Sequence, residues 1–222
     1  MNLVKPSFEI LEIMGMDYGD PLKLIENAGR TCYKSEDKIT LDSAEKFTTK
    51  IITSGHHSVL EHSAITIKII CDRGVTHEIV RHRLAAYSQE STRYCNYKGG
   101  VTFIIPPWVS IEPGEYFDHK KSSDQTKGDA ETCWFNTMLL LEESYKSLLR
   151  VDKWSPQQAR SVLPNSLKTE IVVTTNIREW RHILKLRTSN AAHPQMQEIM
   201  IPILKKFQEL MPTLFNDIGG TK

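Results

Sequence analysis

The 222-residue sequence has almost no charge imbalance: 28 lysines and arginines stand against 27 aspartates and glutamates, a formal net charge of +1. A general nucleic-acid binder needs a basic excess, so no nucleic-acid partner is expected. Cysteine is scarce. Cys32, Cys71, Cys95 and Cys133 lie far apart and form no C-x-x-C pair, which supports neither a zinc ribbon nor a thioredoxin-like motif. The pattern demands no disulfide and suits a reducing cytoplasm. Long apolar runs are missing, so no membrane span is expected, and Met1 to Pro6 lacks the charged-then-apolar order of an export signal. There is no G-x-G-x-x-G and no P-loop. Any nucleotide held here must have its phosphates met by arginines, histidines and loop N–H groups instead. H-E-x-x-H is also absent. His56-His57 with Glu61-His62 invites a metal, and so does His77-Glu78-x-x-x-His82, but five positions at about 3.6 residues per turn put the last two histidines on different helix faces. No metal is expected.

What is present is an ordinary soluble composition, 40% apolar and 25% charged, in a length that suits one large domain or two small ones. With no internal repeat and no linker, a single domain over 1–222 is expected, with a polar surface excursion at 111–130 that includes Lys120 to Asp124. The pattern predicts a strand from Leu3 to Glu12 interrupted at Pro6. A helix runs from the Asp20-Pro21 start to about Ala28, and Gly29 to Cys32 form a loop. Asp42 to Glu45 read as a capping box opening a helix that Gly55 ends. Ala64 to Asp72 alternates with period two, placing Ile65, Ile67, Ile69 and Cys71 on one face of a strand. After Gly74 a helix should carry Ile79, Val80 and Arg81 and weaken beyond Ala86, leaving Ser88 to Arg93 as a loop. Val101 to Ile105 is another strand, stopped by Pro106-Pro107. Trp134, Met138, Leu141, Tyr145 and Leu148 mark a long amphipathic helix. Ser155 to Gln158 form a second capping box. Lys168 to Thr175 is a third clear strand, and Asn176 caps the next helix. The last stripe, Met196, Ile199, Ile203, Phe207 and Leu210, should be kinked or divided at Pro202. The fold class is α+β, with a mixed or antiparallel sheet flanked by helices.

Donors and acceptors crowd most densely between Thr76 and Tyr97. Arg81, Arg83 and Arg93 each offer a flat fork of N–H donors suited to phosphate and planar carbonyl groups. A solvated helix face, with Glu78 pairing Arg81 or His82, would also account for part of this run. Arg81-His82-Arg83, seven residues and then Ser91, with Gln89-Glu90-Ser91-x-Arg93-Tyr94 around it, resembles the signature of the flavin-dependent thymidylate synthases. Similar segments extend from about His56 to Gln195. Ser88-Gln89 stands where many members carry Asn-Glu, and Glu78 where a glutamine is common.

The resemblance implies a homotetrameric, cytoplasmic methyltransferase that converts dUMP to dTMP with FAD, NADPH and methylenetetrahydrofolate, without a cysteine nucleophile. It implicates His56, Ser58, Glu61, Arg81, His82, Arg83, Gln89, Asn176, Arg178 and His182 in holding FAD. Glu78, Arg81, Gln89, Glu90, Ser91, Thr92, Arg93, Arg160 and Arg187 would hold dUMP. Arg160, in a segment similar to the family's Arg-x-x-Leu-Pro, would reach the phosphate from a neighbouring subunit. Arg187 would be catalytic, a permanent cation aimed at the N3–C2–O2 edge of the pyrimidine. Ser91 lacks a clear general base and reads as a nucleotide contact rather than a nucleophile. The competing reading is a non-catalytic nucleotide or RNA-binding module built on Arg81, Arg83 and Arg93. A metal hydrolase is a third.

Overall fold

The computed structural model describes residues 1–14, 20–117 and 130–219. The chain forms two compact units, each assembled from three separated stretches: Met1–Ser7, Ile70–Val80 and Ser88–Ile171 in the first, and Phe8–Ile69, Arg81–Tyr87 and Val172–Lys222 in the second.

The first unit is built on a three-stranded sheet of order β5-β1-β6. Strand β1 (Asn2–Val4) runs parallel to β5 (Thr102–Ile104), pairing Leu3 with Phe103, and antiparallel to β6 (Gly114–Glu115). Helix α4 (Ala130–Arg150) covers it. Phe135, Met138, Leu139 and Tyr145 recur at helical spacing and join Leu3, Phe103 and Ile105 in one core. Each large side chain buried this way contributes about 1.5–3 kcal/mol. Glu142 lies on the same buried face. Burial opposes its charge, yet bonds from the Met1 amino group, Lys146 and the Val101 N–H hold its pKa below the ordinary carboxylate range. The pattern of apolar residues contained no trace of this carboxylate. The expected excursion at 111–130 is corrected at its start: Ile111 is buried and β6 pairs with β1. Lys120 to Asp124 lie outside the described residues. Helix α5 (Pro156–Ala159) opens on the expected capping box, with Ser155 and Gln158 bonding reciprocally. Arg160 belongs to the 3-10 turn Arg160–Val162 that follows.

The second unit holds most of a four-stranded sheet of order β2-β3-β7-β4, formed by β2 (Ser7–Ile13), β3 (Ala64–Asp72), β4 (Ala85–Gln89) and β7 (Lys168–Asn176). The Ile177 N–H bonds to the Ser63 carbonyl and Thr66 to Thr174, so β7 descends as β3 ascends and the pair is antiparallel. Ile65, Ile67 and Ile69 are fully buried, the face that their alternation predicts. Helix α6 (Ile177–Arg187) is tied to the sheet by Trp180, whose Nε1–H donates to the Ile65 carbonyl at 3.0 Å. Trp180, Phe207 and Phe215 stack on from there, joining α6 to α7 (Pro194–Leu210) and α8 (Pro212–Phe215).

Several expectations about element ends are corrected. Helix α1 (Pro21–Thr31) keeps its Asp20 cap but continues through Gly29. Gly29 allows close approach here rather than breaking the helix, because a Cβ would lie 2.5 Å from the Phe47 ring. Helix α2 (Ser43–Thr53) is not capped by the Asp42 side chain. The Ser43 hydroxyl takes the Thr40 N–H and donates to Glu26 instead. Gly55, at φ 73°, does follow the end of that helix. His57–His62 form a 3-10 helix. Helix α3 (Arg73–Ile79) stops before Arg81, and Ser88 and Gln89 belong to β4 rather than to a loop. Asp72, not Gly74, starts α3, its carboxylate accepting the Val75 N–H at 2.7 Å. Helix α7 runs unbroken across Pro202, while Leu210 is exposed and outside the buried stripe.

Candidate active site

Each unit holds one group of the expected residues. In the second, the turn between α3 and β4 carries Arg81, His82 and Arg83. His82 is buried and both arginines are exposed. The turn is fastened twice: Tyr87 OH donates to the His82 carbonyl at 2.7 Å, and Thr175 Oγ1 to the Leu84 carbonyl at 2.5 Å.

Helix α6 supplies the partners of that histidine. The Arg187 Nε–H donates to His82 Nε2 at 3.0 Å. A guanidinium has no acceptor, so Nε2 must accept and the ring proton sits on Nδ1. Glu179 Oε1 lies 3.6 Å from Nδ1, and the His182 ring stands edge-on at 5.9 Å. Burial, the Arg187 charge and His182 together lower the His82 pKa from 6.5 to about 4. At neutral pH the His82–Glu179 contact is therefore a neutral ring facing a carboxylate, not an ion pair. His82, Glu179 and His182 bring potential metal-ligand atoms within 4.8 Å of one another. With Arg187 on Nε2 and the proton on Nδ1, however, the His82 ring offers no free lone pair.

A cleft of about 580 Å³ opens along α6, lined by Asn176, Arg178, His182 and Lys185 together with His57 and Glu61. Asn176 caps α6, its side chain accepting the Glu179 N–H at 2.9 Å. Arg178 meets Glu61 at 2.5 Å. Arg181 forks onto both Asp217 oxygens, holding that carboxyl below its usual range. A second groove of about 440 Å³ brings His56 and Ser58 together with Arg178, Gly29 and Cys32. Arg178 lines both, so His56, Ser58, Glu61, Asn176, Arg178 and His182 gather around one arginine. Glu179, Tyr87 and Lys185 were not among the expected residues. The spacing of Arg178, His182 and Lys185, i, i+4 and i+7, marks one helix face and was the available signal.

In the first unit the group centres on the loop after β4. Gln89 donates to Thr76 and Thr169 hydroxyls at 2.9 and 3.3 Å. Glu90 uses one oxygen for Tyr97 OH, at 2.5 Å, and the other for Lys168, at 3.2 Å. Both side chains therefore hold the loop in place. Burial and the Glu90 carboxylate push the Tyr97 hydroxyl pKa up, so it stays a donor. Beyond them Ser91 Oγ accepts the Arg93 N–H, and Arg160 Nη1 reaches Thr92 Oγ1, both at 3.3 Å. Arg93 lies exposed over the Tyr94 ring. Arg160, expected to serve a neighbouring subunit, lies within reach of Thr92 of its own chain in the 3-10 turn ahead of Pro164. Glu78 is half-buried in the last turn of α3. Cys71 is fully buried, and desolvation with the nearby Asp72 charge pushes its thiol pKa far up.

Residues 16–213 match the family described as thymidylate synthase complementing protein. The flavin-dependent thymidylate synthase of Mycobacteroides abscessus is 36% identical over 197 residues, covering 87% of this chain and 78% of that protein. That of Geobacter sulfurreducens is 32% identical over 209 residues, covering 90% and 83%. Among solved structures, thymidylate synthase X from Helicobacter pylori, with FAD and dUMP, superposes with a TM-score of 0.73 at 23% identity over 96% of this chain and 98% of that one. The UMP/dUMP methylase PolB from Streptomyces cacaoi, bound with 5-Br dUMP, gives 0.75 at 23% identity over 97% and 96%. These two likenesses establish the α+β fold. Taken with the match across nearly the whole sequence, they lead to one conclusion: the chain belongs to the flavin-dependent thymidylate synthase family.

Proposed function

We propose that this protein methylates dUMP reductively to dTMP, using methylenetetrahydrofolate as carbon donor, FAD as cofactor and NADPH as reductant, in the cytoplasm and as a homotetramer with shared sites. The observation that carries the reading is the pairing of a buried, neutral His82 with Arg187 at the end of the helix that lines the 580 Å³ cleft. The donors in and beside that cleft suit an anionic, aromatic cofactor: Arg178 and Lys185 are cations, and His57, His182 and Ser58 add polar edges. When bound and reduced, FAD supplies the hydride.

The chain's own residues have narrower tasks. Ser91, Thr92, Arg93 and Arg160 grip the dUMP phosphate, and Gln89 and Glu90 keep their loop in shape. Asn176, Arg178 and His182, with His56, Ser58, Glu61, Arg81 and Arg83, hold the flavin. Arg187 keeps Nε on His82 and faces the N3–C2–O2 edge of the pyrimidine with its guanidinium charge. Charge placed there by loss of the N3 proton spreads through the ring and makes C5 nucleophilic. Each pKa unit lowered at N3 needs about 1.36 kcal/mol of differential stabilisation, within reach of a preorganised donor in a water-poor site. Cys71, buried and protonated, cannot attack. Ser91 Oγ is bonded to a backbone N–H rather than to a base.

The test begins with colour: purified protein should bind FAD and form dTMP from dUMP, methylenetetrahydrofolate and NADPH. Arg187→Ala should then lose most turnover at saturating dUMP and regain part of it at higher pH, while Ser91→Ala keeps measurable turnover. A colourless, inactive protein overturns the assignment, and the reverse ranking returns Ser91 to the role of nucleophile.

A further inference from the structure

We infer that Glu179 is a positioning residue, acting through the His82 ring on the Arg187 guanidinium. The inference rests on the proposed role of Arg187, and the contacts that motivate it do not involve FAD.

Three buried or half-buried groups stand in line. Glu179 Oε1 faces Nδ1 of His82 at 3.6 Å, and Nε2 of the same ring accepts from Arg187 Nε at 3.0 Å. Glu179 and His82 are 8% and 6% exposed, so water does not screen them. The 3.6 Å separation is longer than a hydrogen bond. Glu179 therefore acts as a fixed negative charge opposite the Nδ1–H dipole. That charge favours the Nδ1–H tautomer, the only neutral one that leaves Nε2 able to accept. With the other tautomer two N–H groups would meet, and the guanidinium would swing away. The backbone holds the line at both ends. Glu179 is pinned by its own N–H on the Asn176 cap, and the His82 carbonyl by the Tyr87 hydroxyl. The Tyr87 phenol feels Glu179 as well, since burial first and that carboxylate second raise its pKa from 10 to about 12.

The other groups facing the His82 ring are cationic or neutral: Arg187 itself and the edge of His182. Glu179 is the carboxylate of the cluster. A neutral imidazole between an acid and an arginine passes on orientation without carrying charge. One guanidinium edge is then fixed on protein, which sets the direction in which Arg187 faces the substrate.

The experiment uses the full-length chain. Histidines labelled with 15N are observed with and without FAD, and the His82 signals are assigned by their loss in His82→Gln. Native His82 should be neutral with its proton on Nδ1 from pH 5 to 8. Glu179→Ala should shift it towards the Nε2–H form that free histidine favours. The same substitution should lower kcat about ten- to a hundredfold with little change in KM for dUMP or in the bound-flavin spectrum. Glu179→Gln, which keeps the shape but removes the charge, should lower both signals nearly as far as Glu179→Ala, whereas Glu179→Asp, which keeps the charge, should retain more of both. Should Glu179→Ala fail to fold, Glu179→Gln and Glu179→Asp carry the test: the tautomer must weaken in parallel with kcat. An unchanged tautomer in every Glu179 variant, or a His82 that is cationic at neutral pH, overturns the inference. If the native chain binds no flavin, the proposed activity fails instead, and the tautomer measured without flavin still decides the role of Glu179.

Discussion

The lowered pKa of His82 makes acid stability a quantitative test of the second unit. In the unfolded chain the ring is ordinary and gains a proton as pH falls through 6.5, whereas the folded chain resists until about 4. Between those values the unfolded state binds more protons, so stability present above pH 6.5 is lost as pH falls towards 4. The full shift corresponds to about 3.4 kcal/mol at about 1.36 kcal/mol per unit, and about 2.5 kcal/mol of it is already gone by about pH 4.5. Glu142 and Asp217, both held below the usual carboxylate range, also cost stability in acid. A comparison removes them. Urea unfolding of the native chain and of His82→Gln, at fixed protein concentration between pH 7.5 and 4.5, differs chiefly in the histidine. His82→Gln should be less stable at pH 7.5, and its loss on acidification should be smaller than the native loss by about 2.5 kcal/mol. Equal losses in the two chains would mean that folded His82 takes up its proton as readily as a free histidine, which a buried ring accepting from Arg187 would not do.

Arg93→Ala should raise the dUMP dissociation constant roughly ten- to a hundredfold and leave the flavin spectrum intact in a calorimetric titration. Lost FAD with unchanged dUMP binding would reverse the two ligand assignments. With sites shared as proposed, mixing Arg160→Ala with Arg93→Ala chains should restore some activity in mixed oligomers, and no recovery would place both residues in one subunit's site. Gly29→Ala adds a helix-favouring residue yet should destabilise the protein by about 1–3 kcal/mol through overpacking, read as a lower urea midpoint, because its Cβ would collide with Phe47 and Val59.

Much of the fold was legible because its strongest signals are local. The alternation in β3 survives unchanged, the strand expected over Lys168 to Thr175 forms as β7, and Asn176, Asp20 and Ser155 cap where their side chains suggest. The errors share a cause: tertiary contacts overruled local preference. Thr76 to Ala86 reads as a continuous helix, but the bond from Tyr87 to the His82 carbonyl and that from Thr175 to the Leu84 carbonyl hold the segment as a turn and a strand. Gly29 looked like a breaker until Phe47 stood against it. At the site, residue types pointed to phosphate and flavin contacts, and the grooves do gather several of them. Glu90 and Gln89 looked equally available, and only their partners reveal that they brace a loop. Glu179 gave no signal, because its closeness to His82 depends on a separation of 97 residues that no spacing rule covers.

Two strands hand over to helices with nothing in between. Asp72 is both the last residue of β3 and the cap of α3, and Asn176 plays the same double part for β7 and α6. A strand advances in half-turns and a helix in steps of about 100°, so each junction locks the phase of one against the other. One residue inserted before Asn176 would exchange the two faces of β7, and one inserted after it would turn Arg187 about a quarter of the way round the helix. Outside the site residues, composition along 168–187 can therefore drift while length cannot. A library of single-residue insertions and deletions should find these junctions closed to change even where most substitutions are accepted.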